Sequence, residues 1–87
     1  MTRIVLLSGP ADRTYRTLPK AIQRRVHDAL FEFASSGHGD LKRLHGTKGR
    51  DDLLRLRVGD YRVVLALTNT EVRVTRILHR SEGYDWL

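Results

Sequence analysis

Four arginines, a histidine and a tyrosine near the end of this chain have the types and spacing that phosphate chemistry needs. Arg55 and Arg57 stand two apart in an alternating run, Arg62 follows a Gly59-Asp60 pair, and His79, Arg80 and Tyr84 lie close together before the last residues. A guanidinium offers a fixed fork of donors that matches phosphate oxygens, and it stays charged at any relevant pH. Histidine and tyrosine can move protons to and from reacting oxygens. A surface carrying all six would bind a polyanion and could act on it.

The distribution of charge points the same way. Residues 1–41 hold six Lys/Arg against four Asp/Glu, while residues 42–80 hold ten against four, a local net charge of +6. A basic half of that density implies a polyanionic partner, most simply nucleic acid. Lys42, Arg43, His45, Lys48 and Arg50 add to it from the glycine-rich stretch GHGDLKRLHGTKGR, residues 37–50, which has no sustained period and reads as a loop. The absence of cysteine excludes disulfides and thiolate zinc sites. His27 falls on a helical stretch and His38 in the loop, neither with the carboxylate spacing of a metal site, so no metal or cofactor is expected. The four apolar residues Ile4, Val5, Leu6 and Leu7 precede a Gly-Pro pair and are too few for a signal-peptide core or a membrane span. The expectation is a cytoplasmic protein with no membrane partner.

The 87 residues contain no linker-like tract, so a single domain over 1–87 is expected. The run RIVLL reads as a buried strand ended by Ser8-Gly9-Pro10. Pro10 suits a helical first turn capped by Ser8 or Gly9, with Ala11, Tyr15 and Leu18 on one face. Leu18-Pro19 marks a boundary, and a second helix is expected over 19–35, its apolar stripe made of Ile22, Val26, Ala29, Leu30 and Phe33, with Gly37 to end it. Full burial of Leu30 or Phe33 contributes about 1.5–3 kcal/mol each. Three strands follow, over 52–58, 61–67 and 71–79. In the first, Leu54, Leu56 and Val58 alternate with Leu53, Arg55 and Arg57. Gly59-Asp60 suits a type II′ hairpin, and Ile77 breaks the phase of Val72 and Val74, which implies a bulge near Arg76. The expected fold is α+β, β-α-α-β-β-β, a helical hairpin packed on one face of a mostly antiparallel four-stranded sheet whose other face is open and basic. Tyr61 is expected in the core with its hydroxyl at the rim, and Trp86 at a packing or partner contact.

The residues Arg57, Gly59, Asp60, Tyr61, Arg62 and Val63, followed by His79, Arg80 and Tyr84 and joined by the loop motif L-K-R-L-H-G from Leu41, resemble the RelE/ParE superfamily of bacterial and archaeal toxins. The similarity spans essentially the whole chain. It departs at Leu65, where many members carry tyrosine, and at Leu54, where an aromatic residue is frequent. RelE-like members are endoribonucleases that cut mRNA at the ribosome, whereas ParE-like members inhibit DNA gyrase; a cognate antitoxin holds either inactive. The Arg55/Arg57 pair, Arg62 and the His79-Arg80-Tyr84 terminus look more like the RelE-like branch. The resemblance then implies metal-independent RNA cleavage, in which the 2′-OH attacks the neighbouring phosphorus. Arg62 is the first choice for the scissile phosphate, Arg55, Arg57 and Arg80 position the strand, and His79 or Tyr84 serves as general base or acid, with His45 a weaker candidate. Tyr84 has stacking on a base as its other role. Implied partners are an antitoxin, mRNA and the ribosome, with operator DNA reached only through the antitoxin complex. The alternatives are a ParE-like gyrase inhibitor and a non-catalytic nucleic-acid-binding relative.

Overall fold

The computed structural model describes residues 2–44 and 52–82. Its elements are β1 (Ile4–Leu7), α1 (Gly9–Thr17), α2 (Lys20–Ser36), β2 (Asp40–Arg43), β3 (Leu54–Val58), β4 (Tyr61–Leu67) and β5 (Glu71–His79). The strands form one sheet in the order β1-β5-β4-β3-β2, with the two helices packed across one face. Among the described residues no helix is long and apolar enough to cross a membrane.

The helices begin and end where local chemistry directs. Ser8 caps α1 by accepting a hydrogen bond from the Ala11 N–H at 3.2 Å, and its hydroxyl donates to the Thr75 carbonyl at 2.8 Å, which ties the cap to β5. The Tyr15 hydroxyl donates to the Gln23 carbonyl, and the Gln23 amide donates back to the Tyr15 carbonyl at 2.8 Å, locking the hairpin between α1 and α2. Gly37 ends α2 at φ +78, a left-handed conformation that glycine adopts without penalty. The expected stripe is the buried one: Val26, Leu30 and Phe33 are almost wholly enclosed, joined by Ala34, with Ile22 and Ala29 at the margin. Against it pack Leu56, Val58, Val63, Leu65, Val72, Val74 and Ile77 from the sheet.

Two features differ from the expected four-stranded sheet. Asp40–Arg43, read from sequence as part of a loop, is a fifth strand that pairs antiparallel with β3. All four of its side chains are exposed, so apolar alternation could not mark it; backbone pairing at the sheet edge holds it in place. The sheet is also mixed, because β1 runs parallel to β5, in register from Ile4 opposite Glu71 to Leu7 opposite Val74. The edge position of β1 leaves Ile4 and Leu6 exposed on the face away from the helices, while Val5 and Leu7 join the core.

Candidate nucleic-acid interface

Residues directly opposite each other in a sheet share a face, so register places the cations. Arg57 of β3 faces Arg62 of β4, and Arg55 of β3 faces Lys42 of β2 on one side and Val64 of β4 on the other. These positions all lie on the surface turned away from the helices. Arg62 is opposite Leu78, and Arg80, two residues further on, returns to the same surface beyond the end of β5. The Arg80 N–H donates to the Asp60 carbonyl at 2.7 Å, which fastens the chain after β5 to the β3–β4 turn. A cavity of about 620 Å³ opens there, lined by Lys42, Arg43, Leu44, Arg55, Arg57, Gly59, Arg62 and Arg80.

All four arginines singled out in the sequence therefore meet at one concavity, together with Lys42 and Arg43. His79 does not join them. It stands opposite Tyr61 on the helix-side face, its ring edge-on to the Tyr61 ring at 5.1 Å, with Nδ1 2.8 Å from the Ser81 hydroxyl oxygen. Successive strand residues point to opposite faces, so adjacency in sequence separates His79 from Arg80 in space. Tyr61 packs at the margin of the main core, as expected. Tyr84, His45, Lys48 and Arg50 lie outside the described residues.

The phase break at Ile77 corresponds to a bulge. The register passes from Val64 opposite Arg76 to Leu65 opposite Val74, leaving Thr75 as the extra residue, and its hydroxyl donates to the Val64 carbonyl at 3.2 Å. The bulge puts Ile77 into the core and Arg76 on the open face.

Like charges set opposite one another on neighbouring strands repel, and two such pairs occur here, Arg57 with Arg62 and Lys42 with Arg55. Polar groups at the rim moderate the repulsion. Asp40 lies 3.7 Å from Arg55 Nη2, Asp60 lies 3.8 Å from Arg80 Nε, and Arg57 Nε donates to the Gly59 carbonyl at 3.4 Å. Arg55 is largely enclosed, its side chain only 15% exposed.

The open face is not uniformly basic, contrary to the expectation from sequence. Leu53, Val64, Ala66 and Leu78 form a second apolar cluster there, with Leu44 packed against it. A signal for it exists in the run Val63-Val64-Leu65-Ala66-Leu67, apolar at every position, as a strand buried on both faces requires. The apolar patch beside the arginines lowers the local dielectric and strengthens their field at the cavity. Leu65 and Leu54, the two departures from the family pattern, both belong to the helix-side core, and neither lines the cavity.

A family model described as the ParE toxin of the type II toxin-antitoxin system, parDE, matches residues 5–84. No curated protein matches the chain by sequence. Among solved structures, the chain is similar to one in the archaeal RelE-RelB complex from Pyrococcus horikoshii, with a TM-score of 0.75 and 26% identity over 95% of this chain and 100% of that one. It also shares its fold with a chain of the toxin-antitoxin complex RelBE2 from Mycobacterium tuberculosis, with a TM-score of 0.77 and 23% identity over 92% of this chain and 100% of that one. A variant of the E. coli toxin RelE in the free state has a TM-score of 0.72 and 18% identity, over 99% of this chain and 92% of its own. With the family model spanning residues 5–84 and the basic cavity built on the shared fold, this chain belongs to the ParE toxin family of type II toxin-antitoxin systems, within the RelE/ParE superfamily.

Proposed function

We propose that this toxin is a metal-independent endoribonuclease that cuts mRNA on the ribosome in the cytoplasm and is held inactive by a cognate antitoxin. The observation that carries this reading is the convergence of Arg55, Arg57, Arg62 and Arg80 on one cavity of about 620 Å³. An RNA strand laid along it meets several phosphate-binding groups at once. In the reaction, the 2′-oxygen bonds to the adjacent phosphorus as its proton leaves, and the bond from phosphorus to the 5′-oxygen breaks. The products are a 2′,3′-cyclic phosphate and a 5′-hydroxyl, the latter taking up a proton. Arg62, central in the sheet, stabilises the charge on the phosphorane, while Arg55, Arg57 and Arg80 hold the flanking strand. Lys42 and Arg43, from the edge strand, extend the binding surface, and Lys48, Arg50 and His45 are assigned to RNA binding from their charge and place in the sequence. Of the candidates for proton transfer, His79 is turned toward Tyr61, so this reading gives the role to Tyr84 first, with His45 the weaker candidate. RelE of Pyrococcus horikoshii and RelE of Methanococcus jannaschii were each solved in complex with RelB, which supports an antitoxin as the protein partner.

The name of the matching family model favours one second reading, inhibition of DNA gyrase without catalysis. Mapping transcript 5′ ends after inducing the toxin separates the two. Ribonuclease action should produce new 5′ ends within translated mRNA, and Arg62→Ala should lower their yield about a hundredfold or more while relieving growth arrest. Growth arrest with intact mRNA and gyrase-dependent DNA breaks would sink the ribonuclease reading.

A further inference from the structure

The β3–β4 turn is approached by guanidinium groups from two sides. Arg57 donates to the Gly59 carbonyl from within the cavity. From the other side comes Arg25, an exposed residue of α2. A Cβ placed on Gly59 would lie 2.9 Å from Arg25 Nη2, 3.1 Å from Nη1 and 3.2 Å from Cζ, so the guanidinium rests close against the turn. Gly59 is itself part of the cavity wall. Among the described residues Arg25 makes no hydrogen bond or ion pair. The helix that carries it has no acidic residue in its first turn, which holds Lys20, and Arg24 and Arg25 follow in the second.

We propose that Arg25 is a further RNA-binding residue of this site, holding a phosphate of the strand where it leaves the cavity and passes around the β3–β4 turn. The inference rests on the ribonuclease reading for its ligand. It adds a contact from a helix to a surface otherwise built by the sheet. Gly59 supplies the left-handed turn, and the Arg25 guanidinium lies close beside it.

The test is binding of the full-length protein to a single-stranded RNA oligonucleotide carrying 2′-O-methyl groups, which keeps the phosphates and removes the attacking hydroxyl. Affinity is measured across a salt series for the parent, Arg25→Gln, Arg25→Lys and Arg62→Ala, with thermal unfolding of each variant as the check on folding. For single strands each neutralised phosphate contributes about 0.7 to the slope of log affinity against log salt. Arg25→Gln should reduce the slope by about that amount and weaken binding about two- to fivefold, whereas Arg25→Lys should keep the slope. A Gln variant with the parental slope overturns the proposal, and so does a Lys variant as impaired as the Gln variant, since packing against the turn would then be the whole role. An unchanged slope with a weaker grip on the antitoxin assigns Arg25 to the protein partner and also overturns it. A parent that does not bind the oligonucleotide overturns this proposal, while the mapping of transcript 5′ ends decides the ribonuclease reading separately. A parent that binds with the expected dependence on Arg25 but leaves translated mRNA uncut supports the contact and removes the cleavage reading alone.

Discussion

Arg57 and Arg62 stand directly opposite each other on adjacent strands, an arrangement that a sheet selected only for stability would avoid. Arg57→Thr should therefore raise stability by roughly 0.2–1 kcal/mol in urea unfolding while lowering RNA cleavage, the opposed signs expected where function and stability conflict. A gain in neither direction would show that solvent already screens the pair. His79 and Arg80 provide a second comparison, because they are neighbours in sequence and point to different surfaces. His79→Ala should leave RNA binding close to the parental value, whereas Arg80→Ala should weaken it and reduce its salt dependence. Equal losses in the two variants would place His79 at the cavity after all.

At the scale of elements, β4 is the strand on which the rest depends. Val63 and Leu65 enter the core under the helices, Val64 and Ala66 enter the second cluster, and Arg62 at the same strand's start faces the cavity. Leu65 is fully enclosed, so Leu65→Ala should cost about 2–5 kcal/mol, measured by urea denaturation. A cost below about 1 kcal/mol would mean that the core closes around the lost side chain. The β3–β4 turn has a different sensitivity. Gly59 has φ +59, and any side chain there would meet both that conformation and the Arg25 guanidinium. Gly59→Ala should destabilise by about 1–2 kcal/mol through the backbone alone. These elements differ in how far sequence reveals them. Both helices and the three long strands have apolar periods set by burial, whereas β2 buries nothing and is held by pairing with β3, which leaves no pattern to read.

For the whole molecule the governing quantity is where the net charge of +6 sits. Five arginines and Lys42 line one cavity with an apolar cluster beside it, which makes the concave face a focus of positive potential. Binding to single-stranded RNA should fall steeply with salt, by about 0.7 in log affinity per decade for each phosphate contacted, or about 3 in total if Arg55, Arg57, Arg62 and Arg80 all engage. Titrations between low and moderate salt measure this directly. A slope near zero would mean that the cavity does not bind a phosphate backbone.

The sequence by itself determined the order of the helices and long strands, the identity of the core stripe, the bulge near Arg76 and the set of arginines with chemical potential. Each follows from local rules: periodicity, capping, turn residues and charge. The tertiary structure decided the rest, because pairing register and edge pairing are not local. It placed β1 parallel beside β5, recruited Asp40–Arg43 as a fifth strand, and built an apolar cluster on the face expected to be wholly basic. It also sorted the arginines from the histidine. Arg62 and Arg80 are separated by seventeen intervening residues and come to one wall because β4 and β5 run antiparallel, while the same alternation that brings Arg80 to the cavity turns His79 away from it.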